Sequence, residues 1–176
     1  VDGVSRPAGI VDPDAMLVAG KVRLAYLNNF NGGPAVVRNM CVAESSDGVN
    51  FKTLGVAWTL GAGATQTDPS EVQLSDGSWL MAISDGTRTR IGRSATGLGF
   101  SEFAGVDGGV PELSLTADGR IRLYVCGAGI QSYVSSNNGQ SWTSEGIVVP
   151  PGSLGRQIVC DPSYVAGAGL LLFKTS

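Results

Sequence analysis

A chain of 176 residues with 26 glycines, 8 prolines and only 15% charged residues suits one core built from many short strands and tight turns, and leaves no room for two large domains. The formal charge of -3 and the lack of a basic stripe exclude the usual footprint of a nucleic-acid binder. No apolar run approaches the ~20 residues that span a bilayer, and no stretch carries a convincing helical pattern.

In chain order, the first blade-like unit is expected over residues 11–58. It opens at Val11-Asp12-Pro13-Asp14-Ala15-Met16-Leu17, turns near Gly20, and continues in an apolar strand over 22–27. A third strand over 38–43 leads into Ser45-Ser46-Asp47-Gly48-Val49-Asn50-Phe51, a polar turn ending on an aromatic. The second unit, 68–105, repeats the plan. It opens at Thr67-Asp68-Pro69-Ser70-Glu71-Val72, turns near Gly77, and runs through strands over 79–84 and 90–93 to Ser94-Ala95-Thr96-Gly97-Leu98-Gly99-Phe100. The third, 110–149, opens at Val110-Pro111-Glu112-Leu113-Ser114-Leu115 and turns near Gly119. Strands over 121–126 and 131–134 then lead to Ser135-Ser136-Asn137-Asn138-Gly139-Gln140-Ser141-Trp142. The last opening, Cys160-Asp161-Pro162-Ser163-Tyr164-Val165, is followed by a turn near Gly169 and one strand over 170–173, so a fourth unit over 161–176 has two strands.

The turn glycines at 48, 97 and 139 recur at the length of a four-stranded propeller blade. The expected fold is therefore all-β: a single β-propeller domain over 1–176, built of four-stranded antiparallel blades, about three and a half of them. The connections 61–67 and 150–157 read as loops between blades rather than domain linkers. A half blade leaves an unpaired edge. Residues 1–10 are a candidate closing strand; otherwise a further stretch of chain or a second copy covers the edge, and a fragment or an associating protein is favoured over a self-sufficient ring. A chain opening on Val1 rather than Met is compatible with processing and with a secreted or periplasmic address.

With no histidine in the chain, a serine or thiol nucleophile would lack its usual imidazole base. The three cysteines cannot all pair within one chain, and none has zinc-site spacing. Cys41 and Cys126 lie in apolar strand patterns and read as buried, inert thiols. One disulfide is compatible with the count but has no support in the spacing.

Inner strands of a propeller begin at the mouth of its central channel, and here the openings are acidic. Asp12, Asp14, Asp68, Glu71, Glu112 and Asp161 form a candidate ring of carboxylates converging from different blades, with Arg88 and Arg90 as candidate ligand-binding cations at the same mouth. Asp-Pro at a strand entry is also plain turn chemistry, with Asp capping the loop and Pro fixing its exit. An acidic ring could equally hold a structural calcium ion; no other cofactor is implied.

The phrase Ser-x-Asn-x-Gly-x-Ser-Trp at 135–142 is similar to the Asp-box hairpin of sialidases and related propellers. The two shorter phrases and the Asp-Pro openings resemble those of five-bladed glycosidases of the arabinanase, xylosidase and invertase type. In such hairpins the polar side chains bond backbone N–H groups and the aromatic packs between blades, which makes the phrase a folding device rather than an active site. The resemblance implies a glycoside hydrolase-like protein with a carbohydrate ligand. Its first blade would supply a base or nucleophile, its second a tuning carboxylate and a later blade an acid. Carried over, these are Asp12, then Asp68 or Glu71, then Glu112, with Asp14, Glu71, Arg90 and Asp161 left to bind substrate. Two departures are visible: Ser70 stands where the family has an acid directly after Pro, and the Glu-Gly-Pro context of the acid is missing. Sialidase chemistry is not supported, because Arg6, Arg88, Arg90, Arg93 and Arg156 lack the contexts of a carboxylate-gripping triad.

Two readings outside catalysis stand beside this one. Tyr26, Trp79, Tyr124 and Tyr164 near the inner strands suggest a lectin-like or protein-binding surface, with rings stacking on sugar faces. An incomplete propeller with no ligand is the third.

Overall fold

The computed structural model describes residue 2 and residues 9–176. It is built of four antiparallel sheets in strict sequence order. The first holds β1 (Ile10–Val18), β2 (Lys21–Asn28), β3 (Val37–Ser45) and β4 (Lys52–Ala62); the second holds β5 (Thr67–Gln73), β6 (Trp79–Ser84), β7 (Arg88–Ser94) and β8 (Ser101–Asp107). The third holds β9 (Gly109–Leu115), β10 (Ile121–Gly127), β11 (Gly129–Ser135) and β12 (Thr143–Val149), and the fourth pairs only β13 (Val159–Val165) with β14 (Leu170–Thr175). The first strands lie side by side, β1 on β5, β5 on β9 and β9 on β13. Sheets arranged radially about their first strands make a β-propeller, here with three complete blades and half of another. No helix among the described residues is long and apolar enough to cross a membrane.

Apolar side chains from facing blades fill the wedges between them. Leu27, Met40, Val42, Trp58, Met81 and Ile83 form the core between the first and second blades, and Leu80, Ile91, Leu113, Leu123 and Val125 that between the second and third. The second blade is covered on both faces, which is why β6, Trp-Leu-Met-Ala-Ile-Ser, is buried along its whole length instead of alternating. On β14 the pattern alternates, and Leu170 and Leu172 face outward, each 55% exposed.

The recurrent turns are held as their polar residues suggest. Ser45 Oγ accepts the Gly48 N–H at 2.9 Å, Ser94 Oγ the Gly97 N–H at 3.0 Å, and Ser135 Oγ the Gly139 N–H at 2.9 Å. The three hydroxyls are buried, and the aromatics beyond them reach the packed interior: Phe100 in the first wedge, Trp142 against the second, Phe51 against Tyr26 and Cys41.

Every inner strand is broken at its proline. Pro has no N–H to give to the ladder, and the register slips there in each case: between Val11 and Asp14, Thr67 and Ser70, and Cys160 and Ser163, and opposite Tyr124 to Cys126 in the third blade. The residue before each proline has a left-handed backbone, with φ of 52° at Asp12, 51° at Asp68, 47° at Val110 and 50° at Asp161. Asp tolerates that region, whereas a β-branched Val is strained there. Asp-Pro at three of the four openings is therefore partly a conformational choice.

The expectation of inert thiols at both Cys41 and Cys126 is corrected for Cys126. Cys126, at the end of β10, is joined to Cys160 on β13 by a disulfide spanning 34 positions, while Cys41 is buried in the first blade. Spacing along the chain carried no sign of this, because the two sulfurs meet only through the packing of the fourth unit on the third. The candidate closing strand at 1–10 lies largely outside the described residues, as does Arg6; Asp2 is tied to β4, its carboxylate accepting the Thr53 N–H at 2.7 Å.

The half blade has only two strands, so the disulfide carries much of its attachment. Reduction, or replacement of Cys126 and Cys160 by Ala, is expected to lower stability by about 2–4 kcal/mol and to speed proteolytic cleavage within 150–158. Thermal unfolding and limited proteolysis with and without reductant check this; identical curves would show that packing alone holds the half blade.

Candidate active site

The bulge at each proline turns the side chains on either side of it toward the axis. The result is a cavity of about 270 Å³ at the mouth, lined by the four prolines and by Asp12, Asp14, Asp68, Glu112 and Asp161, with no basic residue among the described residues of its wall. Five of the eight residues that the sequence placed at the mouth are thus brought together from four blades.

The other three are placed elsewhere. Glu71 follows Ser70 on β5, but its side chain lies between blades, 3% exposed, where Arg23 Nε donates to Oε1 at 2.7 Å. Arg23 also donates to the Gly97 carbonyl at 2.7 Å and lies 4.2 Å above the Trp79 ring, so the pair is a buried latch between the first and second blades. Arg90 lies on β7, pairs with Glu102 of β8 at 2.9 Å and packs over Trp58, far along the blade from the mouth. Arg88 lines a separate groove beside Phe103, Tyr133 and Trp142. The aromatic platform expected near the inner strands is not open either: Trp79 and Tyr124 are buried between blades, Tyr26 is only 1% exposed within the first blade, and Tyr164 is half-buried against Tyr124.

A repeated contact joins the inner strands. The side chain just after each proline accepts the N–H of the residue two places after the proline in the next blade. Asp14 Oδ2 accepts from Glu71 at 2.8 Å, Ser70 Oγ from Leu113 at 2.9 Å, and Glu112 Oε1 from Tyr164 at 2.9 Å. Asp14, Ser70 and Glu112 are therefore equivalent positions. Lining up the four openings on their prolines would have shown this, and would have set Asp14 rather than Asp68 beside Glu112. Asp12, Asp68 and Asp161 form the other ring, one residue before proline, where the third blade has Val110. Within it the Asp68 N–H donates to Asp12 Oδ2 at 3.4 Å, and Lys174 approaches Asp161 at 3.6 Å from outside.

Burial and mutual repulsion raise several of these carboxyls. Burial pushes Glu112 up to about 7, assisted by the charge of Asp14 and opposed by the Tyr164 N–H. Burial likewise pushes Asp14 up to about 6 against the Glu71 N–H. Asp68 is raised by burial and by repulsion from Asp12 and Asp161, partly offset by the Thr67 hydroxyl. Burial also raises Glu71, outweighing the lowering effect of Arg23. A cluster of this kind keeps a carboxyl protonated near neutral pH, as proton donation to a leaving oxygen requires. Among the described residues the one trio of metal-type groups with ligand atoms within 4.8 Å is Cys126, Cys160 and Asp161, and its two sulfurs are bonded to each other.

No family model matches the sequence, and no curated protein is significantly similar to it. Solved structures are similar in fold. A GH43 β1,3-galactosidase holding galactodeoxynojirimycin superposes with a TM-score of 0.72 at 12% identity, over 94% of this chain and 68% of that one. A thermostable family-43 glycoside hydrolase gives 0.69 at 12% identity, over 93% and 64%, and a GH130 glycoside hydrolase that targets β-1,2 mannosidic linkages gives 0.65 at 16% identity, over 94% and 60%. The chain spans 60–68% of the length of these three structures. At such identities the likeness concerns fold alone: the chain has the blade architecture of five-bladed propeller glycoside hydrolases.

The raised carboxyls make stability pH-dependent. Asp14 and Glu112 have folded-state values above those of the unfolded chain, so between about pH 4.5 and 7 the folded protein binds more protons and stability falls as pH rises. The stabilisation is complete below about pH 4 and is lost through about 6 and 7. The expected loss from pH 5 to 8 is on the order of 4 kcal/mol. Glu112→Gln, which can still accept the Tyr164 N–H, should flatten the dependence and be more stable than the parent at pH 8. Denaturant titrations across that range read both, and parallel pH profiles would count against the assignment.

Proposed function

We propose that this chain is a carbohydrate-active propeller whose acidic mouth works as a glycoside hydrolase-like site. The observation carrying this reading is the convergence of two kinds of carboxyl on one cavity: Glu112, kept protonated near neutral pH by burial and by Asp14, and Asp12 on the outer ring. Glycoside cleavage needs such a division of labour. Glu112 donates its proton to the leaving oxygen. Asp12, held by the Asp68 N–H, activates water or attacks the sugar carbon, and Asp68 and Asp161 orient hydroxyls at the rim. Asp14 takes over the tuning role that the resemblance gave to Asp68 or Glu71, because it is the carboxylate whose charge acts on Glu112.

Ser70, Ser163 and Val110 leave three ring positions without a carboxylate, which favours sugar binding without turnover as the second reading. Aryl β-galactosides, β-mannosides, β-xylosides and α-arabinofuranosides, with β-1,3-galactobiose and β-1,2-mannobiose, form a suitable panel. The expected result is turnover of at least one compound, reduced 10²–10⁴-fold by Glu112→Gln, with binding retained in the variant. Binding without turnover in the parent would establish the second reading and overturn the first.

The outer edge of β14, unpaired among the described residues, supports association with a second copy. Light scattering over a range of concentrations is expected to show a dimer; a monomer at every concentration would remove the oligomer from the proposal.

A further inference from the structure

Glu112 and Asp14 both neighbour Ser70. The Ser70 hydroxyl, 2% exposed on β5, lies 3.4 Å from Glu112 Oε2 and also faces the Asp14 carboxyl. Its oxygen already accepts the Leu113 N–H at 2.9 Å. Both carboxyls are also anchored by backbone N–H groups, Glu112 Oε1 by Tyr164 and Asp14 Oδ2 by Glu71.

A serine hydroxyl has one proton to give and two lone pairs. One lone pair is used by Leu113. The proton can go to one carboxylate only, and the remaining lone pair can face the other carboxyl favourably only if that carboxyl carries a proton. With no proton on the pair, one carboxylate faces a serine lone pair in a buried place. With a proton on each, two carboxyl O–H groups compete for one lone pair. A single proton on the pair satisfies every group, and reversing the Ser70 O–H moves the bound proton from one carboxyl to the other without net loss or gain. The charged groups around the pair do not set a different count. Asp12 stands on β1, Asp68 and Glu71 on β5, and Asp161 on β13. Arg23 is engaged by Glu71 and Lys174 by Asp161.

We propose that Ser70 is a positioning residue through which Asp14 and Glu112, on different blades, share one proton. The sharing makes the first blade the proton reserve of the third-blade acid, with a hydroxyl standing where the resembled glycosidases have a carboxylate. Its catalytic meaning rests on the glycosidase-like reading; the proton count does not.

Carboxyl titration by carbon-13 NMR on Asp- and Glu-labelled protein tests this without substrate. In the parent, Asp14 and Glu112 should titrate in two coupled steps separated by more than about one pH unit. Ser70→Ala should narrow the separation by about one unit, and Ser70→Thr should restore it. If Ser70→Ala loses cooperative unfolding because Leu113 is left without an acceptor, Ser70→Cys keeps the volume while its thiol bridges poorly, and the same narrowing is expected. An unchanged separation in the folded Ala or Cys variant, or independent titration of the two carboxyls in the parent, overturns the proposal. A parent that turns over none of the glycosides yet shows the narrowing keeps the shared proton and loses the glycosidase reading; an active parent without the narrowing does the reverse.

Discussion

Prolines on the inner strands impose the constraint from which the site follows. Each inner strand is paired on one side only, with its own hairpin partner, so a residue without an N–H is tolerated there and the ladder bulges around it. The bulge puts the preceding residue in the left-handed region and aims the side chains on both sides of the proline at the axis. It also lets the side chain after the proline reach the backbone of the next blade. The same deformation therefore builds the mouth, lines it with carboxylates and ties neighbouring blades together.

Those ties explain why function and stability are hard to separate here. Asp14 and Glu112 are candidates for chemistry and are also acceptors in the contacts between inner strands. Their burial raises the free energy of the charged forms, and the fold carries that cost because the wedges between blades are well filled. The Arg23–Glu71 pair is the contrasting case. Burial raises Glu71 as well, but its ion pair with Arg23, which stacks on Trp79, makes it an interblade latch outside the lining of the mouth.

The blade plan was legible in the chain because its signals are local. Period-2 hydrophobicity, glycine turns and the serine-anchored phrases each lie within a few residues of what they shape. Most of the mouth was legible too, since Asp12, Asp14, Asp68, Glu112 and Asp161 sit at the starts of inner strands and inner strands start at the axis. Glu71 and Arg90 were misplaced for opposite reasons. Glu71 is one residue past the inward-facing position, where strand alternation turns a side chain into the wedge. Arg90 lies on a third strand, where alternation was read without its cross-strand partner Glu102.

By itself the sequence determined the repeat length, the strand order within each blade and the acidic character of the inner-strand openings, all set by covalent neighbours and turn chemistry. Only the tertiary structure decided that Cys126 meets Cys160, that Arg23 neutralises Glu71, and that Ser70 lies between Asp14 and Glu112. Each of these joins residues on different blades. Their distances depend on how far each sheet is rotated against the next, and that angle is set by the volumes of side chains filling the wedge, which no local pattern encodes.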